Sequence, residues 1–291
     1  MKPKVPKVPN VNNDDVIWDE VTDGFTSPNK DKAFNEYVGP KRSAQSASTA
    51  LEFFKLFMTN DILDQIVTET NRFYHQDSVK PSPMKWHDIS KEELLAVFAI
   101  MIAMGIANLS EVDDYWSSSQ IFHMPWFHSI MSRDRFKQIL RYLHLSDNNK
   151  VPAKESPGYD RLFKLGKLHE KLNNSFSQMY SPERELSLDE QMIGTKCRNE
   201  FIQYMPKKPK RFGIKVWVLC EASSGYCLQF QIYTGAKGST SEKGLTHCVV
   251  FDLIDIYLTK NHHLYFDNFY TSLTLLQSLS RKKTYACGTL T

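Results

Sequence analysis

The sequence lacks the features that identify secreted, disulfide-rich and membrane-spanning proteins. Its five cysteines are odd in number and include no Cys-x-x-Cys pair, which argues against a disulfide framework and against a zinc site. The longest apolar run, residues 94–107, has 14 residues and is too short to cross a bilayer. The first ten residues contain no apolar segment, so no secretory signal is expected. We therefore expect an intracellular protein without a membrane partner.

The chain also lacks a large excess of charge of one sign. Its net charge is +3 over 291 residues, which is too small by itself to indicate a nucleic-acid partner. The charge is unevenly distributed, because residues 196–215 contain seven basic residues and one acidic residue. This local excess predicts a cationic surface, and phosphate groups are the partners that such a surface attracts.

Changes in composition and periodicity divide the chain into three parts. Residues 1–45 mix Pro, Asn, Asp, Gly and Ser without periodicity, so we expect an extended or disordered arm. Residues 46–183 have helical spacing, with capping-box signatures at residues 49–52 and 90–93. In residues 184–291 the pattern changes to the alternation that is typical of strands, interrupted by two helical segments.

One helical segment, "SRDRFKQILRYLHL", combines an apolar face with several basic side chains. Two interpretations are compatible with this pattern. The helix could pack into a core with its charges in solvent, or it could contact DNA through Arg133, Arg135 and Lys137.

The third part predicts a mixed sheet. Five segments have the character of strands: residues 185–193, 214–221, 226–233, 263–267 and 284–288. Residues 244–258 and 271–281 are the intervening helices. Three strands followed by helix, strand, helix and strand are typical of an α/β arrangement. The expected fold class is therefore a helical domain followed by a mixed sheet with flanking helices, and a partial ribonuclease-H-like sheet is one arrangement of this kind.

Two aspartates in this part have a chemical interpretation. Asp189 lies within a strand although aspartate is a poor strand former, and Asp267 ends a short apolar strand. If these two strands are neighbours, the carboxylates face each other and form a natural site for Mg²⁺ or Mn²⁺. Two such ions could stabilise the attacking and leaving oxygens of a phosphodiester. The structural alternatives are a polar sheet face for Asp189 and a helix N-cap for Asp267.

Four motifs, in order along the chain, resemble the piggyBac transposase family. They are "DDYWSSSQIFHMPWFHSIMSRDRFKQILRYLHLSDN", "SLDEQMIG", "YMPKKPKRFGIKVW" and "YFDNFYTS". The resemblance covers residues 50–291. It implies DNA strand cleavage and transfer at transposon ends with TTAA targets, a nuclear location, and a helical region similar to the family's dimerisation and DNA-binding domain.

The resemblance also implies roles for individual residues. The family's ribonuclease-H-like domain carries three catalytic, metal-binding aspartates, of which the first two match Asp189 and Asp267. The basic residues that would lie near the DNA backbone are Lys207, Lys208, Lys210, Arg211 and Lys215. The same stretch, "PKKPKR", also fits a nuclear-import signal or a solvated run of charge.

The sequence departs from the family at its downstream end. The family's third aspartate and its cysteine-rich zinc domain would follow Thr291, so we expect a C-terminally truncated chain that is inactive alone. Asp252, Asp255 and Glu242 are weak substitutes. The first two are expected on the exposed side of a helix that turns Val249, Leu253 and Ile256 inward.

Three functional hypotheses follow. The leading one is a transposase-derived protein whose metal-dependent chemistry is incomplete, acting on DNA as a homodimer or as a dimer with a full-length transposase. The alternative is a non-enzymatic, domesticated DNA-binding and dimerisation protein. The third is a fragment that does not fold stably, because the strand at its end would leave apolar surface uncovered.

Overall fold

The structure is a computed structural model that describes residues 33–79, 86–195, 197, 199–206, 208–235 and 244–289. It forms two compact units, which we call the helical unit and the sheet unit. The helical unit is Thr49–Leu172, and the sheet unit is Asn173–Thr291 together with the segment that ends at Ser48. Within the described ranges, no helix is both long enough and apolar enough to span a membrane.

The helical unit is built from helices whose starting points are set by side-chain caps. Its helices are α1 (Ala50–Phe57), α2 (Asn60–Gln76), α3 (Lys91–Ala107), α4 (Pro125–Ile130), α5 (Arg133–Tyr142) and the start of α6 (Leu168–Met179). Thr49 and Glu52 form the predicted capping box, and the Ser90 side chain accepts a hydrogen bond from the Glu93 backbone. Ser132 caps α5 in the same way. The caps predicted at residues 49–52 and 90–93, which begin α1 and α3, are confirmed.

A buried ion pair lies inside the helical unit. The Arg135 side chain is 8% exposed, and its Nε and Nη2 atoms each donate to a Glu93 carboxylate oxygen at 2.7 Å. The guanidinium carbon lies 4.7 Å from the centre of the Trp86 ring. Arg135 therefore stabilises the fold, and the interpretation that it contacts DNA is wrong. Arg133 and Lys137 are partly exposed and pair with Asp113.

The helical spacing predicted for residues 46–183 does not give one continuous helix over residues 162–179. A short 3₁₀ segment, Phe163–Leu165, precedes α6, and Gly166 between them has a φ of +53°. A Cβ atom at this glycine would lie 2.0 Å from the Leu145 carbonyl oxygen, so a side chain does not fit. Because the backbone of residue 145 passes so close, position 166 requires a glycine. Helix α6 begins after it, at Leu168.

The sheet unit contains a two-stranded ribbon and a six-stranded mixed sheet. Its strands are β1 (Gly39–Pro40), β2 (Tyr180–Ser181), β3 (Glu185–Gly194), β4 (Ile202–Tyr204), β5 (Phe212–Glu221), β6 (Cys227–Ile232), β7 (His263–Phe266) and β8 (Tyr285–Gly288). Helix α7 (Leu245–Ile254) connects β6 to β7, and α8 (Leu273–Arg281) connects β7 to β8. The order β4-β5-β3-β7-β8, with β6 also on β5, makes β3 an interior strand.

The pairing of β3 decides the layout of the sheet. It is antiparallel to β5 from Leu186 to Gly194 and parallel to β7, where Leu186 is opposite Leu264 and Ser187 is opposite Tyr265. The sequence-based expectation that these two strands are neighbours is confirmed. Leu186, Leu188 and Leu264 are buried, and the core that they form includes apolar residues of α7 and α8.

A buried carboxylate ties the end of β5 to the start of β3. Glu221 is 1% exposed, and it accepts hydrogen bonds from the Tyr180 hydroxyl at 3.1 Å and from the Glu183 backbone at 2.8 Å. The Ser224 hydroxyl, in the turn after β5, donates to the same carboxylate. A buried charge that accepts several hydrogen bonds is well satisfied, so Glu221 fixes the geometry of this corner.

Two details of the sheet unit differ from the sequence-based expectation. Strand β4 was not predicted, because three residues are too few to show an alternation. Ile256 is 44% exposed rather than turned inward, while Tyr257 is buried. The reason is that α7 ends at Ile254 and a 3₁₀ turn, Asp255–Tyr257, changes the direction of the following side chains.

Replacing Arg135 by methionine is expected to destabilise the helical unit by about 3 kcal/mol, because the Glu93 carboxylate loses its buried partner. The matched control is Arg133→Met on the same helix, which should cost less than about 1 kcal/mol, because its ion pairs are exposed. Urea unfolding of both variants measures the difference. Equal losses in the two variants would contradict the structural role assigned to Arg135.

The same ion pair has a defined pH dependence. Burial raises the pKa of Glu93, but hydrogen bonds and charge from Arg135 outweigh this effect, so its pKa lies below the ordinary value. A carboxyl group with a lowered folded-state pKa stabilises the fold above its unfolded pKa and loses that contribution as the pH falls through the folded value. The difference between wild type and Arg135→Met should therefore shrink below about pH 4.

Candidate functional site

The parallel register of β3 and β7 places Asp189 and Asp267 at the same level of the sheet. Ser187 and Tyr265 are the last opposed pair, and each aspartate lies two positions further along its own strand direction. Both aspartates are exposed. One edge of the sheet thus carries two carboxylates from strands that are 78 positions apart in the sequence.

Local hydrogen bonds hold the two aspartates in place. Asp189 Oδ1 accepts from the Glu190 backbone at 2.7 Å, and Asp267 Oδ1 accepts from the Phe269 backbone at 3.0 Å. Helix α8 is capped by Ser272, whose hydroxyl accepts from the Leu275 backbone. Asp267 is therefore not the N-cap of that helix, and its carboxylate stabilises only the turn after β7.

Glu190 joins the two aspartates. Ligand oxygens of Asp189, Glu190 and Asp267 all lie within 4.8 Å of one another, so one ion could contact all three carboxylates. The Glu190 side chain is 10% exposed, and its Oε1 atom lies 3.2 Å from the Lys208 ammonium nitrogen. Its Oε2 atom is buried and has no hydrogen-bond partner among the described residues. Sequence reasoning used Glu190 only as a neighbour of Asp189, and the adjacent acidic pair was the signal.

A buried tyrosine lies beside the carboxylates. Tyr270 is 1% exposed, and within the described part of the chain its hydroxyl has no hydrogen-bond partner of standard geometry. Burial raises the pKa of Tyr270, and the negative charges of Glu190, Asp189 and Asp267 raise it further. The phenol is therefore neutral at physiological pH and adds no charge to the site.

Two lysines bring positive charge to the carboxylates. Lys208 pairs with Glu190 and also donates a hydrogen bond to the Glu190 backbone carbonyl at 3.2 Å. The Lys215 nitrogen lies 4.7 Å from the centre of the Phe269 ring. Burial lowers the pKa of Lys215, as does the charge of Lys208, while Glu190, Asp267 and Asp189 oppose the shift.

The other predicted basic residues have different surroundings. Lys210 and Arg211 are exposed in the turn between β4 and β5, and the Arg211 carbonyl accepts from the Met205 backbone at 2.8 Å. Lys207 lies outside the described residues. The structure thus brings Lys208 and Lys215 to the carboxylates and leaves two basic side chains on the adjacent surface.

The donor set matches a hard divalent cation. All three groups offer carboxylate oxygens, which are the ligands that Mg²⁺ and Mn²⁺ prefer. Glu190 Oε2 and the Tyr270 hydroxyl are buried beside this cluster, and neither makes a hydrogen bond of standard geometry within the described ranges. An ion or its bound water would provide a partner for such polar atoms. Of the weak substitutes considered from sequence, Asp252 and Asp255 are exposed on and just after α7, and Glu242 lies outside the described residues.

Comparisons with known proteins agree on one family. The family model described as "Transposase IS4" matches residues 49–291. Human piggyBac transposable element-derived protein 2 is 29% identical over 243 residues, covering 81% of this chain and 39% of that protein. Human piggyBac transposable element-derived protein 3 is 30% identical over 249 residues, covering 83% and 40%. The chain thus spans less than half the length of these two curated relatives.

A solved structure shares the fold. The structure titled "Cryo-EM structure of piggyBac transposase synaptic complex with hairpin DNA" is similar with a TM-score of 0.79 and 27% sequence identity. The similarity covers 88% of this chain and 54% of that chain. Its mixture of helices and sheet is the architecture described above.

Replacing Tyr270 by phenylalanine is expected to leave stability unchanged or to raise it slightly, because the hydroxyl makes no hydrogen bond of standard geometry with the residues that the structure describes. The matched control is Tyr180→Phe, which removes a hydrogen bond to buried Glu221 and should cost about 1–3 kcal/mol. Thermal unfolding of both variants at neutral pH measures the contrast. A larger loss in Tyr270→Phe than in Tyr180→Phe would show that the Tyr270 hydroxyl is engaged in the folded protein.

Proposed function

We propose that this chain, which belongs to the piggyBac transposase family, binds DNA and carries a divalent-metal site of the kind used for DNA strand cleavage and transfer. The observation that carries the proposal is the convergence of Asp189, Glu190 and Asp267, whose ligand oxygens lie within 4.8 Å of one another. Asp189 and Glu190 lie on β3 and Asp267 directly follows β7, so the fold brings the three carboxylates together.

In this proposal Asp189 and Asp267 hold Mg²⁺ or Mn²⁺, and Glu190 is the third carboxylate within reach. A divalent cation held there supplies Lewis-acid polarisation of a phosphodiester and a more acidic bound water. Glu190 already forms an ion pair with Lys208, so its carboxylate would have to contact that lysine and a metal ion at the same time. The proposed site is therefore weaker than one with three uncommitted aspartates, which fits a chain with incomplete catalysis.

The proposed DNA-binding residues are Lys207, Lys208, Lys210, Arg211 and Lys215. Lys210 and Arg211 are exposed, and exposed basic residues are those that contact phosphates most directly. The similar transposase was solved as a synaptic complex with hairpin DNA, which supports DNA as the partner and assembly with further copies. Transposon ends with TTAA targets and a nuclear location belong to the same proposal.

The proposed organisation assigns one task to each part of the chain. Residues 1–45 are the proposed arm, of which residues 1–32 lie outside the described residues and Gly39–Pro40 pairs with Tyr180–Ser181. Residues 46–183 are the proposed dimerisation and DNA-binding domain, and residues 184–291 the proposed partial ribonuclease-H-like domain. Homodimers, or dimers with a full-length transposase, are the proposed assemblies. The complete transposition reaction is proposed for such an assembly.

The second candidate function is a non-enzymatic, domesticated DNA-binding and dimerisation protein. It is favoured by one observation, the presence of Lys208 and Lys215 close enough to offset two of the three negative charges without a metal. Under this alternative the carboxylates and lysines only stabilise the sheet edge, and the basic turn binds DNA independently of metal.

Metal binding separates the two candidates. Isothermal titration with Mn²⁺ is expected to show that Asp189→Asn and Asp267→Asn each lose at least about tenfold in affinity. The matched control is Asp252→Asn, an exposed aspartate on α7, which should bind like wild type. Unchanged Mn²⁺ affinity in both site variants, with unfolding temperatures near wild type, would reject the metal site and favour the second candidate.

DNA affinity tests the basic turn. The double variant Lys210→Gln with Arg211→Gln should weaken binding to a TTAA-flanked duplex, and the slope of log affinity against log salt should fall by about two. The matched control is Lys282→Gln with Lys283→Gln, two exposed lysines in the turn after α8, which should leave the slope unchanged. An equal loss in both double variants would indicate only a non-specific effect of charge.

A further inference from the structure

Two cysteines are opposed across the hairpin formed by β5 and β6. Cys220 is the register partner of Cys227, directly after a bulge at the junction of Leu219 and Cys220. On the turn side of this pair, the Glu221 backbone donates to the Tyr226 carbonyl at 3.0 Å, so the two strands are still joined there.

This position has the dimensions of a disulfide. Opposed residues of antiparallel strands have Cα atoms about 4.5–5.5 Å apart and side chains on the same face of the sheet. Disulfides accept Cα separations of about 4.4–6.8 Å. Both cysteines are free thiols in the structure, and both are partly exposed, so that a small oxidant can reach them.

The two thiols also differ in character. The Cys227 sulfur lies 4.0 Å from the Gln229 carbonyl oxygen, and hydrogen bonding between the two thiols lowers the pKa of Cys220 to about 7. The same hydrogen bond, together with burial, raises the pKa of Cys227. Since the thiolate is the nucleophilic form, Cys220 is the attacking sulfur and Cys227 is the resolving one.

We propose that Cys220 and Cys227 form a cross-strand dithiol that a hydroperoxide oxidises to an intramolecular disulfide. Neither cysteine belongs to the carboxylate cluster or to the basic turn, so the inference does not depend on the proposed function.

The reaction has two steps that balance. The Cys220 thiolate attacks one peroxide oxygen, the S–O bond forms, the O–O bond breaks, and the hydroxide or alkoxide leaves and takes up a proton. The Cys227 sulfur then attacks Cys220, the S–S bond forms, and the S–O bond breaks. Water leaves with the proton of the Cys227 thiol. Two thiols are oxidised and one peroxide bond is reduced.

The remaining cysteines offer built-in comparisons. Cys197 and Cys287 are exposed, and Cys248 is partly exposed on α7. In the described strand pairs, none of these three cysteines lies opposite another cysteine. Replacing Cys197 and Cys287 by serine removes the exposed thiols that would link different chains and leaves the opposed pair in place.

The experiment treats the full chain carrying Cys197→Ser and Cys287→Ser with one equivalent of hydrogen peroxide, followed by alkylation and peptide mass spectrometry. The expected product is a chain about 2 Da lighter whose digest contains a peptide linked through Cys220 and Cys227. The link should form at least about tenfold faster in the folded chain than in urea, because the sheet holds the sulfurs together. The control Cys248→Ser should cross-link at the same rate.

Two further variants keep the test independent of a folding defect. Cys227→Ser retains Cys220 but has no resolving thiol, so it should trap a sulfenic acid at Cys220 that dimedone labels. Cys220→Ser should give no label at residue 227 under the same conditions. The proposal is overturned if the folded chain forms no Cys220–Cys227 link, or if the link forms no faster in the folded chain than in urea.

Discussion

Parallel pairing between β3 and β7 determines what chemistry the sheet unit can support, because it brings two distant motifs to one edge. The strands are in register, with Ser187 opposite Tyr265, and both aspartates follow the last opposed pair by two residues. A shift of one residue would turn one carboxylate to the other face of the sheet. The buried pair of Leu186 and Leu264 opposes such a shift, since it would expose apolar side chains. Core packing therefore sets the distance between the carboxylates.

At the carboxylate cluster, acidic and basic side chains lie close together and are partly buried. Three carboxylates within a few ångströms of one another repel, and that repulsion disfavours the folded state unless positive charge is nearby. Lys208 supplies part of it through a direct ion pair with Glu190. Lys215 supplies another part, and the attraction of the carboxylates opposes the lowering of its pKa by burial. The neutral phenol of Tyr270 adds bulk without charge. The chain can therefore fold with its carboxylates assembled, and a metal would add to an edge that already exists.

Much of this arrangement could be predicted from sequence, and the exceptions have physical reasons. The long strands and their neighbours were predictable because alternation and the order of helices and strands are strong signals. The place of Glu190 was not, because adjacent residues of a strand point to opposite faces and only the end of β7 allows both to approach Asp267. The contact of Lys208 with Glu190 depends on β4, which is too short to recognise. Arg135 was taken for a surface residue because its partner, Glu93, is 42 positions away.

The same strand order has a consequence for how the chain is made. On one side, β3 pairs with β5, which ends at Glu221, whereas its partner on the other side, β7, follows only at residue 263. Until then the other side of β3 is an open edge, which is the kind of surface that recruits foreign strands. Charged side chains on an open edge discourage such pairing. Asp189 and Glu190 would thus protect the nascent chain against aggregation before Asp267 has been synthesised.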